Sequence, residues 1–167
     1  LRPDLKIVDI RGNVDTRLNK MHEQKLDGIV LAAAGLKRLH MESVITQYLS
    51  TEEMIPAVAQ GTLAIELRRE DRELLSMVNA FCDEKAQRIA QTEREFLQRI
   101  GGDCHLPIGA YASILADGQI RLQALFGDAD GEHLAQCDVC GNEPESLAAA
   151  AVQQLKVCKI RVCRAQI

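Results

Sequence analysis

Apolar positions along the 167-residue chain follow two different periods, and the change between them divides the sequence. "LKIVDI" at 5–10 is a short apolar run of the kind that predicts a buried strand in a parallel sheet. After the turn residues "RGN", the stretch "VDTRLNKMHEQ" places Val14, Leu18 and Met21 on one helical face. "LDGIVLAAAG" predicts a second strand, entered through Asp27-Gly28, and "LKRLHMESVITQYL" predicts a helix behind it. This β-α-β-α order is that of a doubly wound α/β domain, where ligands sit at the carboxyl ends of strands beside helix N-termini.

"MIPAVAQGTLAIELRRE" reads as a strand-like run broken by Gln60-Gly61, a polar pair typical of a hinge or bulge. Helices are predicted over 70–82 and 84–100, the second carrying Ile89, Phe96, Leu97 and Ile100 and stopping at Gly101-Gly102. Beyond that point the period becomes two. "IGAYASIL", "QIRLQALFG" and "EHLAQCDVCG" alternate and are joined through Asp117-Gly118 and Asp130-Gly131, which predicts a three-stranded antiparallel meander. "PESLAAAAVQQLKVC" returns to a helical pattern, placed on one face of that sheet, with Pro144 acceptable in its first turn. The tail "KIRVCRAQI" is basic and alternating and receives no assignment.

Composition narrows the class without changing this picture. A hydrophobic share of 47% and a charged share of 26% are those of a soluble globular protein. With 3% aromatic residues and no Trp, the core must rest on aliphatic side chains and alanine. The longest apolar run, "IVLAAAGL" at 29–36, is too short to cross a bilayer, and the first residues lack the regions of a signal peptide. The expected location is cytoplasmic, with no membrane partner. Net charge is −4, but residues 1–40 hold eight Lys/Arg against five Asp/Glu, so the remainder carries −7. A basic segment in an acidic chain suits a local anion site better than a nucleic-acid surface, which needs a broad basic face.

Within that basic segment, Arg11 closes the first predicted strand and Arg17 lies in the first turns of the next helix. Arg38 follows the second strand. A guanidinium binds a carboxylate through two parallel hydrogen bonds, which Lys cannot reproduce, so arginines gathered at one cleft suit a ligand rich in carboxylates.

The six cysteines, at 82, 104, 137, 140, 158 and 163, do not form the framework of a small secreted domain. "CDVC" and "CKIRVC", with seventeen residues between Cys140 and Cys158, leave open a zinc-stabilised domain through Cys137, Cys140, Cys158 and Cys163. The second pair has four intervening residues rather than two, so packing roles are favoured and no metal is expected. Cys104, in "IGGDCHLPIGAYA", follows Asp103 and a helix C-terminus, both of which oppose a thiolate. His105 is adjacent and on an extended chain points the other way. Chemistry alone ranks a buried cysteine first, an attachment point second and a metal ligand third.

"RGNVDTRL", "LAAAGLKRL", "IPAVAQGTLAIELR" and "EREFLQRIGGDCHLPIGAYA" resemble, in order and approximate spacing, the motifs of the porphobilinogen deaminase (hydroxymethylbilane synthase) family. The resemblance covers residues 1 to about 156 and corresponds to the later part of that enzyme. It implies a transferase of tetrapyrrole (heme) biosynthesis that joins four porphobilinogens into hydroxymethylbilane with release of ammonia. The primer is a dipyrromethane cofactor held by a thioether, and the matching cysteine here is Cys104. The resemblance further matches Arg11, Arg17 and Arg38 to carboxylate-binding positions and Gln60 to the lining of the same cleft. Porphobilinogen and polypyrrole intermediates are thus the implied ligands, and a complete protein is expected to be monomeric.

The implied architecture is part of a periplasmic-binding-protein-like α/β domain over 1–55, a hinge strand with helices over 56–101, and a cofactor-carrying α+β domain over 102–167. Two departures stand out. Asp103 occupies a place where the family has a small residue, and none of Asp4, Asp9 or Asp15 matches the family's catalytic Asp. That residue is expected in an N-terminal domain missing from this chain, which leaves no catalytic residue here and predicts an inactive isolated chain. The rival without an enzyme is an α/β module that uses the same arginines for a small anion.

Overall fold

Three strands, Ile108–Ile114 (β1), Ile120–Gly127 (β2) and Leu134–Gly141 (β3), form one antiparallel sheet in the order β1-β2-β3. They belong to a computed structural model that describes residues 4–101, 106–128 and 133–158. The chain divides into two compact units, Leu1–Tyr48 and Leu49–Ile167.

In the second unit the meander is as the alternation predicts. The β1–β2 turn is closed by Gly118 at φ +83, a conformation that costs glycine nothing. Asp117 fixes it by accepting a 3.0 Å hydrogen bond from the Gln119 amide. The register sets Ala110 opposite Ala124 and Ala112 opposite Leu122, then Leu122 opposite Val139 and Ala124 opposite Cys137. One face of the sheet is therefore small and apolar, and two helices pack against it: α4 (Glu84–Ile100) and α5 (Pro144–Cys158). Phe96 and Ile100 of α4 and Leu147, Ala151 and Leu155 of α5 are buried there. Alanines on both sides let the helices approach closely, which is how so few aromatic residues suffice.

Helix ends follow capping chemistry. Asp83 accepts from the amides of Lys85 (2.8 Å) and Ala86 (3.0 Å) to open α4, and Gly101, at φ +70, ends it in the left-handed conformation. Arg88 of α4 donates to the Asn142 carbonyl (3.0 Å), tying the helix to the turn that leads into α5.

The connection from residue 49 to 61 is fastened onto this domain. Glu52 reaches Arg121 of β2 at 3.6 Å, and Arg121 also makes a 2.6 Å ion pair with Asp138 of β3. Pro56 offers its carbonyl to the Ala110 amide at 3.0 Å and so covers the outer edge of β1. Gly109 allows this approach, because a Cβ there would lie 2.9 Å from the Pro56 carbonyl oxygen and 3.2 Å from Ile55. Gly109→Ala should push the connection off β1 and lower the stability of this unit by about 1–3 kcal/mol, measured by urea unfolding. An unchanged midpoint would show that the close contact has no energetic weight.

The first unit departs from the sequence expectation. It contains α1 (Val14–Glu23), α2 (Ala33–Arg38) and a 3-10 turn, Glu42–Val44. The segments expected as strands, 5–10 and 26–35, form no strand, and the last three residues of the second open α2. Ile7 and Val30 are 85% and 66% exposed. The physical reason is that a parallel strand holds its shape only between hydrogen-bonded neighbours, and the described residues supply none. The helix expected from Leu36 to Leu49 also ends early, at Arg38. There His40 enters the left-handed region (φ +56) and the Met41 amide bonds back to the Leu36 carbonyl at 2.9 Å. The strand-like run after residue 54 is likewise no strand. Its Gln60-Gly61 break is a tight turn over 58–61, flanked by Ala59 at φ +57 and Gly61 at φ +82. The remaining helix, α3 (Arg72–Asn79), lies within the predicted 70–82 and buries no residue.

Candidate functional site

Arg11 and Arg17 are joined through one glycine. Gly12 adopts φ +131, and a Cβ there would come within 2.8 Å of Thr16 Cγ2, so the turn admits no side chain. Asn13 caps α1 by accepting from the Thr16 amide (2.8 Å), and Arg17 Nε donates to the Gly12 carbonyl at 2.7 Å. Lys20 donates to the Arg11 carbonyl at 2.9 Å, one turn further along the helix. The backbone of 11–13 is thus clamped from α1 by two cationic side chains.

The Nε bond fixes the plane of the Arg17 guanidinium and leaves its terminal nitrogens without a partner among the described residues. Arg11, Arg17, Lys20 and Arg38 also form no ion pair among those residues. Unneutralised cations of this kind suit a carboxylate-bearing ligand. Arg38 is exposed at the C-terminal end of α2, where its charge complements the helix dipole. Gly35 in the first turns of α2 faces Val14 of α1, with 3.6 Å to Val14 Cγ2 from the position of a Cβ. Lys37 instead stacks its ammonium over the Tyr48 ring, 5.5 Å from the centroid.

Gln60 belongs to the second unit, exposed at the tip of the 58–61 turn. Cys104, with Asp103 and His105, lies outside the described residues.

The sequence pattern did not single out Glu93, yet Glu93 is buried, 5% exposed. One carboxylate oxygen accepts from the Ala59 amide (2.6 Å) and the other from the Ala112 amide of β1 (2.8 Å). Burial raises its pKa above the usual carboxylate value, opposed by those two hydrogen bonds. A signal was available: Glu93 interrupts the apolar stripe Ile89, Phe96, Ile100 of α4, where an acid has no reason to stand unless it is hydrogen-bonded.

The zinc alternative is corrected by the register. Cys137 points into the core, with its thiol 3.8 Å from the Ala151 carbonyl oxygen, whereas Cys140 is exposed. Three residues apart on a strand, the two face opposite sides of the sheet and cannot share a metal. Cys163 lies outside the described residues, and among these no cluster of three metal-ligating side chains occurs. No helix among the described residues is long and apolar enough to cross a membrane.

Comparisons with known proteins converge. Residues 1–76 match the family model "Porphobilinogen deaminase, dipyromethane cofactor binding domain", and residues 88–156 match "Porphobilinogen deaminase, C-terminal domain". The chain is 46% identical over 157 residues to a porphobilinogen deaminase of Lachnospira eligens, covering 93% of this chain and 53% of that protein. It is 48% identical over 142 residues to one from Clostridium acetobutylicum, covering 85% and 47% respectively. A Roseiflexus castenholzii relative is 44% identical over 156 residues, covering 93% and 51%. The chain therefore spans about half the length of the curated relatives it matches.

Proposed function

The chain belongs to the porphobilinogen deaminase family, and on that premise we propose that it forms the cofactor-carrying later portion of a transferase of tetrapyrrole biosynthesis. The complete enzyme joins four porphobilinogen molecules into hydroxymethylbilane, releasing ammonia. The observation that carries this reading is the unneutralised Arg11–Arg17 turn, which falls inside the stretch matching a dipyrromethane-binding domain.

In this reading Arg11, Arg17 and Arg38 hold the acetate and propionate groups of bound pyrroles. Arg17 does so with its plane fixed by the Gly12 carbonyl. Gln60 and Cys104 keep the roles that the resemblance implies, a side chain that meets bound pyrrole and the point of thioether attachment. When bound, the dipyrromethane supplies the primer to which substrate pyrroles are joined. The residues of this chain bind and orient anions. The carboxylate that stabilises positive charge on a reacting pyrrole nitrogen belongs to the N-terminal part of the enzyme. Segments 5–10 and 26–32 become strands of a periplasmic-binding-protein-like α/β sheet when neighbouring strands are supplied, in keeping with the exposure of Ile7 and Val30.

Hydroxymethylbilane formation from porphobilinogen tests the assignment in two arms. A full-length protein containing this chain should turn porphobilinogen over, and a full-length protein with no activity would refute the function. The 167-residue chain alone should show none, because it lacks the electrostatic stabiliser. Appreciable turnover by the chain alone would place the catalytic carboxylate within it.

A further inference from the structure

Gln60 stands at the tip of a strained turn whose first residue, Val58, packs against the core. Ala59 has φ +57, a left-handed conformation that costs a residue with a Cβ about 1–2 kcal/mol, and Gly61 follows at φ +82. Within the turn there are two backbone bonds, Gln60 amide to Ala57 carbonyl (3.0 Å) and Thr62 amide to Ala59 carbonyl (3.1 Å). Strain of this kind persists where surrounding structure imposes it, and here the imposing group is identifiable. The Ala59 amide is bound by the Glu93 carboxylate at 2.6 Å, and the same carboxylate binds the Ala112 amide of β1 at 2.8 Å.

The carboxylate is buried and has no cation in ion-pairing reach among the described residues. A buried charge balanced by two amides alone is a costly way to hold a helix to a sheet, since apolar residues on either side already do so. What Glu93 adds is a connection that Phe96 and Ile100 cannot make, a link from α4 to the backbone beside Gln60. If the turn lifts from β1, the Ala59 amide loses this acceptor while the Ala112 amide keeps its own.

We propose that Glu93 is a positioning residue for Gln60: its carboxylate latches the 58–61 turn to α4 and β1 and so fixes where the Gln60 side chain stands. This rests on the reading of Gln60 as a residue that meets bound pyrrole. The turn does not move independently of the C-terminal domain.

The test pairs amide hydrogen exchange with kinetics, using Glu93→Gln and Glu93→Asp in a full-length protein containing this chain. A glutamine presents one acceptor and one NH2 group to two amide donors, so one donor loses its partner. Exchange at Ala59 and its neighbours through Thr62 should rise at least about tenfold in Glu93→Gln, while Leu122 and Ala151 in the core keep their protection. KM for porphobilinogen should rise several-fold with kcat changed less, and Gln60→Ala added to Glu93→Gln should cost less than it does alone.

If exchange rises uniformly across the core, Glu93 is only structural and the proposal fails. Unchanged exchange at Ala59 also overturns it. Local opening with unaltered kinetics overturns the positioning role; if Gln60→Ala is silent too, the fault lies in the placement of Gln60 in the cleft. A wild-type protein that does not turn over porphobilinogen refutes the functional reading, and the exchange arms still decide the latch. Glu93→Asp keeps the charge but is too short to reach both amides, so it decides the matter if Glu93→Gln does not fold.

Discussion

Cys104→Ser should abolish the covalently held pyrrole pair and, with it, all measurable hydroxymethylbilane synthesis by a full-length protein containing this chain. A thiol can be alkylated once and kept as a thioether; a serine hydroxyl is far less nucleophilic near neutral pH. The position does not favour a turnover nucleophile. Asp103 precedes it, and α4 ends its dipole a few residues upstream, at Gly101, and both destabilise a thiolate. Attachment needs to happen only once in the protein's lifetime, so a slow thiol suffices. Intact mass is the direct measure. Wild-type protein should carry the excess mass of two linked pyrroles, and Cys104→Ser should carry none. Thermal unfolding should fall somewhat, because a primer held by the arginines stabilises the state that binds it, while an unchanged far-UV circular dichroism spectrum separates lost attachment from lost fold. A serine variant that retains the adduct would move the attachment to another cysteine. Cys140 and Cys82 are the exposed free thiols among the described residues.

Legibility of the fold varied with how local its determinants are. The meander and α4 were readable because each carries its own instructions: alternation, Asp117-Gly118 at the turn, Asp83 at one helix end and Gly101 at the other. Segments 5–10 and 26–35 were read as strands from their apolar runs alone. An apolar run does not say whether a strand is present to pair with it, and Ile7 and Val30 stand exposed instead. The helix that stops at Arg38 shows a different limit, because nothing in "KRLHMES" signals that His40 turns left-handed. At the candidate site, arginine chemistry pointed to Arg11 and Arg17, but the device that fixes them was hidden. The Nε bond of Arg17 to the Gly12 carbonyl spans five residues and depends on a glycine whose need appears only when Thr16 is seen beside it. Glu93 was hidden for the opposite reason, since its partner Ala59 is 34 positions away.

Arg17→Lys should lower kcat/KM for porphobilinogen by about 10–100-fold, and Arg17→Ala by at least as much, with the C-terminal domain unperturbed. In the proposed site Arg17 has two tasks for one planar group. Nε holds the Gly12 carbonyl at 2.7 Å, and the two terminal nitrogens remain for a ligand carboxylate. A lysine ammonium is a single point of donation and can do one of these but not both. If it binds Gly12, the site loses its fork; if it turns to the ligand, the Arg11–Gly12–Asn13 turn loses one of its two clamps, and Lys20 alone retains the Arg11 carbonyl. The loss should fall mainly on KM, because the interaction is with substituents that persist unchanged from bound substrate to transition state. High salt should narrow the gap between Arg and Lys variants only partly, since screening weakens charge attraction but leaves the bidentate geometry intact. The measurement is steady-state kinetics on the three proteins, alongside far-UV circular dichroism to confirm that α1 persists. Wild-type kinetics in Arg17→Lys would mean that the guanidinium serves only to cap its own turn, and the anion site would then have to be sought around Arg11 and Arg38 alone.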